Sequence, residues 1–142
     1  MSQEIERKFL VEDDSYKQMA SSSTRIVQGY ICRLQGRTVR VRLRGEKAYL
    51  TIKGPSLDGG LSRYEWEHEI SGKEALELMA LCEGGVIDKV RYLVPWGKHI
   101  FEVDEFLGDN EGLVMAEVEL DAVDETFERP PFLGKEVTGD RR

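Results

Sequence analysis

A two-residue alternation of charged and apolar side chains recurs along nearly the whole chain and constrains its fold more than any other feature. Eight segments carry it, at about 3–11, 26–33, 38–44, 47–53, 62–70, 87–94, 99–106 and 113–120. Side chains two apart in a strand share a face, so each segment reads as a β-strand with one apolar and one charged side. Gln35-Gly36, Gly45-Glu46, Pro95-Trp96-Gly97 and the run from Gly108 to Gly112 punctuate the joins as turns. One helix is expected over 71–82, with Ser71 as N-cap, Glu74 completing a capping box, and Ala75, Leu76, Met79 and Ala80 as its apolar stripe. Gly84-Gly85 stops it. A short helix near 13–20 and a turn near 122–128 follow from weaker patterns. Ser21 to Thr24 reads as a flexible loop, and Pro130-Pro131 speaks against regular structure around it.

Eight mostly hairpin-linked strands in an open sheet would leave two unprotected edges, and closure removes them. The expected fold class is therefore mainly β (α+β): a closed eight-stranded antiparallel barrel with a few covering helices. At 142 residues, the expectation is one domain over 1–142.

The charged face decides what such a barrel could do. Glu4, Glu6 and Lys8 share a face of the first strand. Arg40, Arg42 and Arg44 share one on the third, and Thr51 and Lys53 on the fourth. The fifth carries Arg63, Glu65, Glu67 and Glu69, and the sixth carries Lys89 and Arg91. Glu102 and Asp104 follow on the seventh, and Glu117 and Glu119 on the eighth. Any one of these fits an ordinary solvated strand face. Together they do not, because whole strands carry nearly one sign, and like charges on a strand repel unless something answers them. Rolling the charged face inward answers both signs. The basic strands would hold phosphate oxygens, and the carboxylates would hold a hard divalent cation such as Mg²⁺ or Mn²⁺. The apolar face then lies outside, covered by helices or by a second subunit in a homodimer. Arg7, on that outer face, has to reach a partner or snorkel.

The net charge of −7 argues against binding nucleic acid or an anionic membrane through a basic surface. The start, MSQEIERKFL, has no apolar signal core, and no apolar run is long enough to span a membrane. A cytoplasmic location is expected, with Cys32 and Cys82 as reduced core thiols. No phosphate-binding glycine loop or zinc spacing is present, and His68 and His99 stand alone.

The run Glu4-Ile5-Glu6-Arg7-Lys8 resembles the ExExK signature of the CYTH superfamily, the triphosphate tunnel metalloenzymes. EIERKFLV at 4–11 is similar to the bacterial inorganic triphosphatase branch. Gln28-Gly29-Tyr30, RVRLR at 40–44, TIKG at 51–54, SRYEWE at 62–67, KVRY at 89–92, FEVDEF at 101–106 and AEVEL at 116–120 follow in the family's order. The resemblance covers nearly the whole chain. It implies a tunnel-shaped barrel, a divalent metal and a triphosphate substrate. It assigns Glu4, Glu6, Glu117, Glu119 and Asp104 to the metal. Lys8, Arg40, Arg42, Arg44, Lys53, Lys89 and Arg91 go to the triphosphate, with Lys89 among the catalytic groups. By the same resemblance, Glu65 or Glu67 would orient or activate the attacking water. Relatives usually continue beyond this point, whereas this chain ends at Asp140-Arg141-Arg142, so a C-terminal segment is expected to be missing or short.

The expected activity is metal-dependent hydrolysis of inorganic tripolyphosphate. The alternatives are hydrolysis of a nucleoside or thiamine triphosphate, adenylyl cyclisation of ATP to cyclic AMP, and a non-catalytic polyphosphate-binding module. Cyclisation needs an adenine pocket that the sequence does not show. Mere binding would need only the basic strands.

Overall fold

The computed structural model describes residues 3–56 and 62–138. Asp140, Arg141 and Arg142, where the short tail was expected, lie outside these residues. The strands are β1 (Gln3–Val11), β2 (Ser22–Leu34), β3 (Arg37–Arg44), β4 (Lys47–Lys53), β5 (Ser62–Ile70), β6 (Glu83–Trp96), β7 (His99–Phe106), β8 (Val114–Glu119) and β9 (Leu133–Glu136). Helix α1 (Tyr16–Met19) follows β1, and helix α2 (Gly72–Met79) follows β5.

The strands pair in the order β5-β4-β3-β2-β6-β7-β8-β1, all antiparallel, and β1 pairs back to β5 to close an eight-stranded barrel. The closing seam is short, running from Gln3↔Tyr64 to Ile5↔Ser62. Further along the same edge of β1, the added strand β9 pairs at Phe9↔Glu136 and Val11↔Leu133. This ninth strand was not expected after Pro130-Pro131. Those prolines sit just before it, so they cost it no ladder donor.

The helix expected over 71–82 ends at Met79, and Gly84-Gly85 lie within β6 rather than stopping it. Ser22 to Thr24 are not loop but the start of β2, paired with Leu93, Tyr92 and Arg91 of β6. In α2, Leu76 is exposed, and the buried face runs through Ala75, Leu78 and Met79. The capping box at Ser71 and Glu74 is present as expected.

The charged face does point inward, so the apolar core lies outside the barrel wall in two patches. Phe9, Phe101, Val103, Ala116 and Val118 pack beneath Tyr16 of α1 and Phe132 of the C-terminal segment. Val41 and Ala48 pack beneath Ala75 of α2. Each fully buried aromatic or branched side chain there contributes about 1.5–3 kcal/mol, so the covers hold the barrel rigid around its polar interior. Arg7 finds its partner in Glu136, with Nε donating over 2.8 Å. Both cysteines are free; Cys32 is exposed rather than in the core. Among the described residues no helix is long and apolar enough to cross a membrane.

Candidate active site in the barrel tunnel

The strand order separates charge around the barrel. β4, β3, β2 and β6 are neighbours and carry Lys53, Arg40, Arg42, Arg44, Lys89 and Arg91. β7, β8, β1 and β5 are neighbours and carry Glu102, Glu117, Glu119, Glu4, Glu6, Glu65 and Glu67. Three residues cross the division: Asp104 of β7 joins the basic half, and Lys8 of β1 and Arg63 of β5 stand among the acids. The side chains enclose a cavity of about 330 Å³, and every expected site residue lines it.

The basic half is held by specific contacts. Asp104 receives Arg91 through Nε at 2.7 Å and a terminal nitrogen at 2.8 Å, and Lys89 at 2.7 Å. Burial opposes ionisation of Asp104, but these bonds outweigh it and hold the carboxyl down at about 2. The same bonds raise Arg91 against burial. Burial, with the Arg91 and Arg42 charges, keeps Lys89 below its ordinary value despite Asp104. Arg42 Nε donates to Gln28 at 2.9 Å, and burial beside Arg40 and Arg91 brings its guanidinium down to about 10. Arg40 is buried, and its Nε finds no acceptor among the described residues. Arg44 is exposed at the mouth, donating to the Tyr49 hydroxyl at 2.9 Å.

The acidic half is differently balanced. Glu6 faces its diagonal neighbour Glu117 on β8, and the two carboxyls interact directly. Burial first, and then the Glu117 charge, push Glu6 up to about 9. Burial also opposes ionisation of Glu117, but the Glu6 hydrogen bond and the Lys8 charge hold it down. Glu119 is raised by burial and by the charges of Glu4 and Glu102. Glu102 is raised by burial, and the Glu117 charge adds to this. Glu4 accepts from Lys53 at 2.9 and 3.0 Å, and Lys53 also meets Glu65 at 3.5 Å. Thr51 donates to Glu67 at 2.8 Å, and Arg40 stands 4.0 Å from the same carboxylate. Lys8 stands 3.6 Å from Glu6.

The chain matches the CYTH domain family model over residues 2–142. The chain belongs to the CYTH family. An inorganic triphosphatase of Acetivibrio thermocellus is 48% identical to this CYTH chain over 143 residues, covering 100% of it and 90% of the relative. One of Nitrosomonas europaea is 36% identical, covering 98% of the chain and 91% of the relative. A crystal structure of the inorganic triphosphatase NE1496 superposes with a TM-score of 0.65 at 30% identity, over 97% of this chain and 91% of that one.

The structure also brings forward residues that the sequence reading left out of the site. Glu102 lines the tunnel and meets Arg91 at 3.4 Å. Its parity with Asp104 was the available signal. Gln28 gave no such signal, because an uncharged side chain does not stand out in a charge alternation. Asp104, expected at the metal, accepts from Lys89 and Arg91 through both of its oxygens. Glu102 and Glu119 also line a wider cleft of about 1030 Å³, bounded by residues 97–100 and 125–128, so the acidic end opens onto open space. His99 pairs there with Glu125 at 2.6 Å, and His68 stacks on Trp66.

Proposed function

We propose that this CYTH protein is a metal-dependent inorganic triphosphatase that hydrolyses tripolyphosphate inside the tunnel. The observation that carries the reading is the division of one tunnel into a basic and an acidic half. The two relatives and the solved structure named inorganic triphosphatase support the substrate.

The residues suit both expected guests. The buried Arg40 Nε without an acceptor suits a phosphate oxygen. An all-oxygen set of carboxylates, one of them pushed up by burial and by the Glu117 charge, suits a hard divalent cation, Mg²⁺ or Mn²⁺. Among the described residues no three His, Cys, Asp or Glu side chains already stand in metal-holding geometry. Glu4, Glu6, Glu117 and Glu119 would hold the cation, with Glu102 beside them. Asp104, first expected as a ligand, serves by holding Lys89 and Arg91 in place. The bound cation supplies charge neutralisation to the phosphate chain.

Lys8, Arg40, Arg42, Arg44, Lys53 and Arg91 orient the triphosphate oxygens, and Lys89 faces the charge that develops on the leaving phosphate. Glu65 or Glu67 takes a proton from water as its oxygen attacks a terminal phosphorus. The anhydride bond breaks, and pyrophosphate leaves with the electron pair. Burial raises Glu65, which strengthens it as a base. Positioning and electrostatics carry most of such a reaction.

Hydrolysis of an organic triphosphate, or cyclisation of ATP, would place the organic group in the wider cleft beside Leu93, Ile100 and Phe127. One experiment separates these readings. The protein is incubated with Mg²⁺ or Mn²⁺ and tripolyphosphate, ATP or thiamine triphosphate, and phosphate and cyclic AMP are measured separately. The proposal expects fastest phosphate release from tripolyphosphate. Cyclic AMP formed faster than tripolyphosphate is cleaved would overturn it.

A further inference from the structure

The strand that presents Glu4, Glu6 and Lys8 is gripped from behind. The β5 seam ends at Ile5, so the backbone of Lys8 lies on an edge of β1 that the barrel closure does not reach. The C-terminal segment takes that edge. Val137 N–H donates to the Lys8 carbonyl at 2.8 Å. Lys8 N–H donates to Thr138 Oγ1 at 3.0 Å. The Thr138 hydroxyl donates onward to Glu136 at 2.6 Å, and Glu136 is held by Arg7 through two guanidinium nitrogens. Arg7 lies over the Phe127 ring at 5.1 Å, which ties it to the outer core.

We propose that Thr138, Glu136 and Arg7 form a strap of positioning residues outside the tunnel that fixes Lys8 against the triphosphate. This rests on the proposed triphosphatase reading, in which Lys8 contacts phosphate. Both backbone groups of Lys8 are bonded to residues 137 and 138, so its side chain enters the tunnel from a clamped main chain. A strand edge left to water would let that ammonium wander by the fraction of an ångström that costs phosphate binding. Glu136 shares its oxygens between Thr138 and Arg7, so the charge pair orients the hydroxyl toward the Lys8 amide. Arg7 thus has a use on an apolar face where a charge is otherwise a liability.

The test is a coupling experiment on the full chain. Thr138→Val removes the acceptor for the Lys8 amide at nearly constant shape, and Thr138→Ser restores it. Tripolyphosphate affinity is measured calorimetrically in EDTA, where no turnover is expected, alongside kcat and KM with metal. Thr138→Val is expected to weaken affinity roughly three- to tenfold, the range of one lost hydrogen bond, and Thr138→Ser to recover most of it. In a Lys8→Ala background Thr138→Val should cost nothing further, because the strap acts through Lys8. Glu136→Gln should weaken affinity in the same direction and lose its effect in the same background. An equal loss with and without Lys8, or wild-type affinity in Thr138→Val, overturns the proposal. If the wild-type protein binds tripolyphosphate but does not hydrolyse it, the triphosphatase reading fails while the binding cycle still decides the strap.

Discussion

The two halves of the tunnel solve the problem of buried charge in different ways. In the basic half, Lys89 and Arg91 close on Asp104, and Arg42 closes on Gln28, so most of the buried cations have a protein partner. In the acidic half, Glu6 and Glu117 meet each other, and burial with the Glu117 charge pushes Glu6 up to about 9. One half is a finished scaffold. The other is finished only when a proton or a cation arrives. Phosphate alone suits the first half, and only a cation lets the second act at neutral pH without protonated acids. The separation follows from strand order, since four neighbouring strands carry most of the bases and the other four most of the acids.

The largest effect that would sharpen this contrast is expected at Asp104. Asp104→Asn leaves Lys89 and Arg91 buried without their counter-charge, and breaking a buried pair in this way costs about 3–5 kcal/mol. Denaturant unfolding should show that loss even in EDTA. Glu6→Gln removes a conflict instead of a partner, so it should leave the metal-free protein no less stable. A Glu6→Gln variant that unfolds as readily as Asp104→Asn would break the contrast.

Next in size is the loss of a phosphate contact. Arg42→Ala should weaken transition-state binding by about 1.5–3 kcal/mol, the value of a hydrogen bond to a charged group. Arg42→Lys should recover only part of this, because an ammonium lacks the bidentate fork. Unchanged kcat/KM for tripolyphosphate in both variants would remove Arg42 from the site.

A smaller effect is a pair of opposite pH slopes in the metal-free protein. The folded-state pKa of Glu6 is raised from 4.5 to about 9, so over that window the folded chain binds more protons than the unfolded one. Stability from this group therefore falls as pH rises from 4.5 toward about 9. Asp104 is lowered from 3.8 to about 2, so its contribution is present above 3.8 and lost as pH falls toward about 2. Thermal melts across pH should show the alkaline decline flattened in Glu6→Gln and the acid decline reduced in Asp104→Asn. An alkaline slope that Glu6→Gln leaves untouched would show that Glu6 is not the raised carboxyl.

The barrel was legible because a period of two is written into almost every strand, and parity alone placed Arg42, Lys53, Glu117 and Glu119 on the inner face. The same signal hid other features. Ser22 to Thr24 look like loop because small polar side chains carry no alternation, yet their backbone pairs with β6 beyond the buried part of the barrel. Strand β9 is only Leu133–Glu136, too short for periodicity, and it exists because β1 has an edge that β5 does not cover. The pairing of Asp104 with Lys89 and Arg91 depends on the β6–β7 register, Arg91↔Asp104, which no single strand reveals. Sequence thus showed which face each charge takes, and tertiary pairing decided which charges are already answered.

The most direct test of the central claim is the metal dependence of tripolyphosphate cleavage in wild-type protein and in Glu119→Gln, with phosphate release followed across a Mg²⁺ or Mn²⁺ titration and in excess EDTA. The account predicts no cleavage in EDTA, saturable activation by either cation, and in Glu119→Gln a much lower rate that needs more metal. Full activity in excess EDTA, or an unchanged metal requirement in Glu119→Gln, would contradict it.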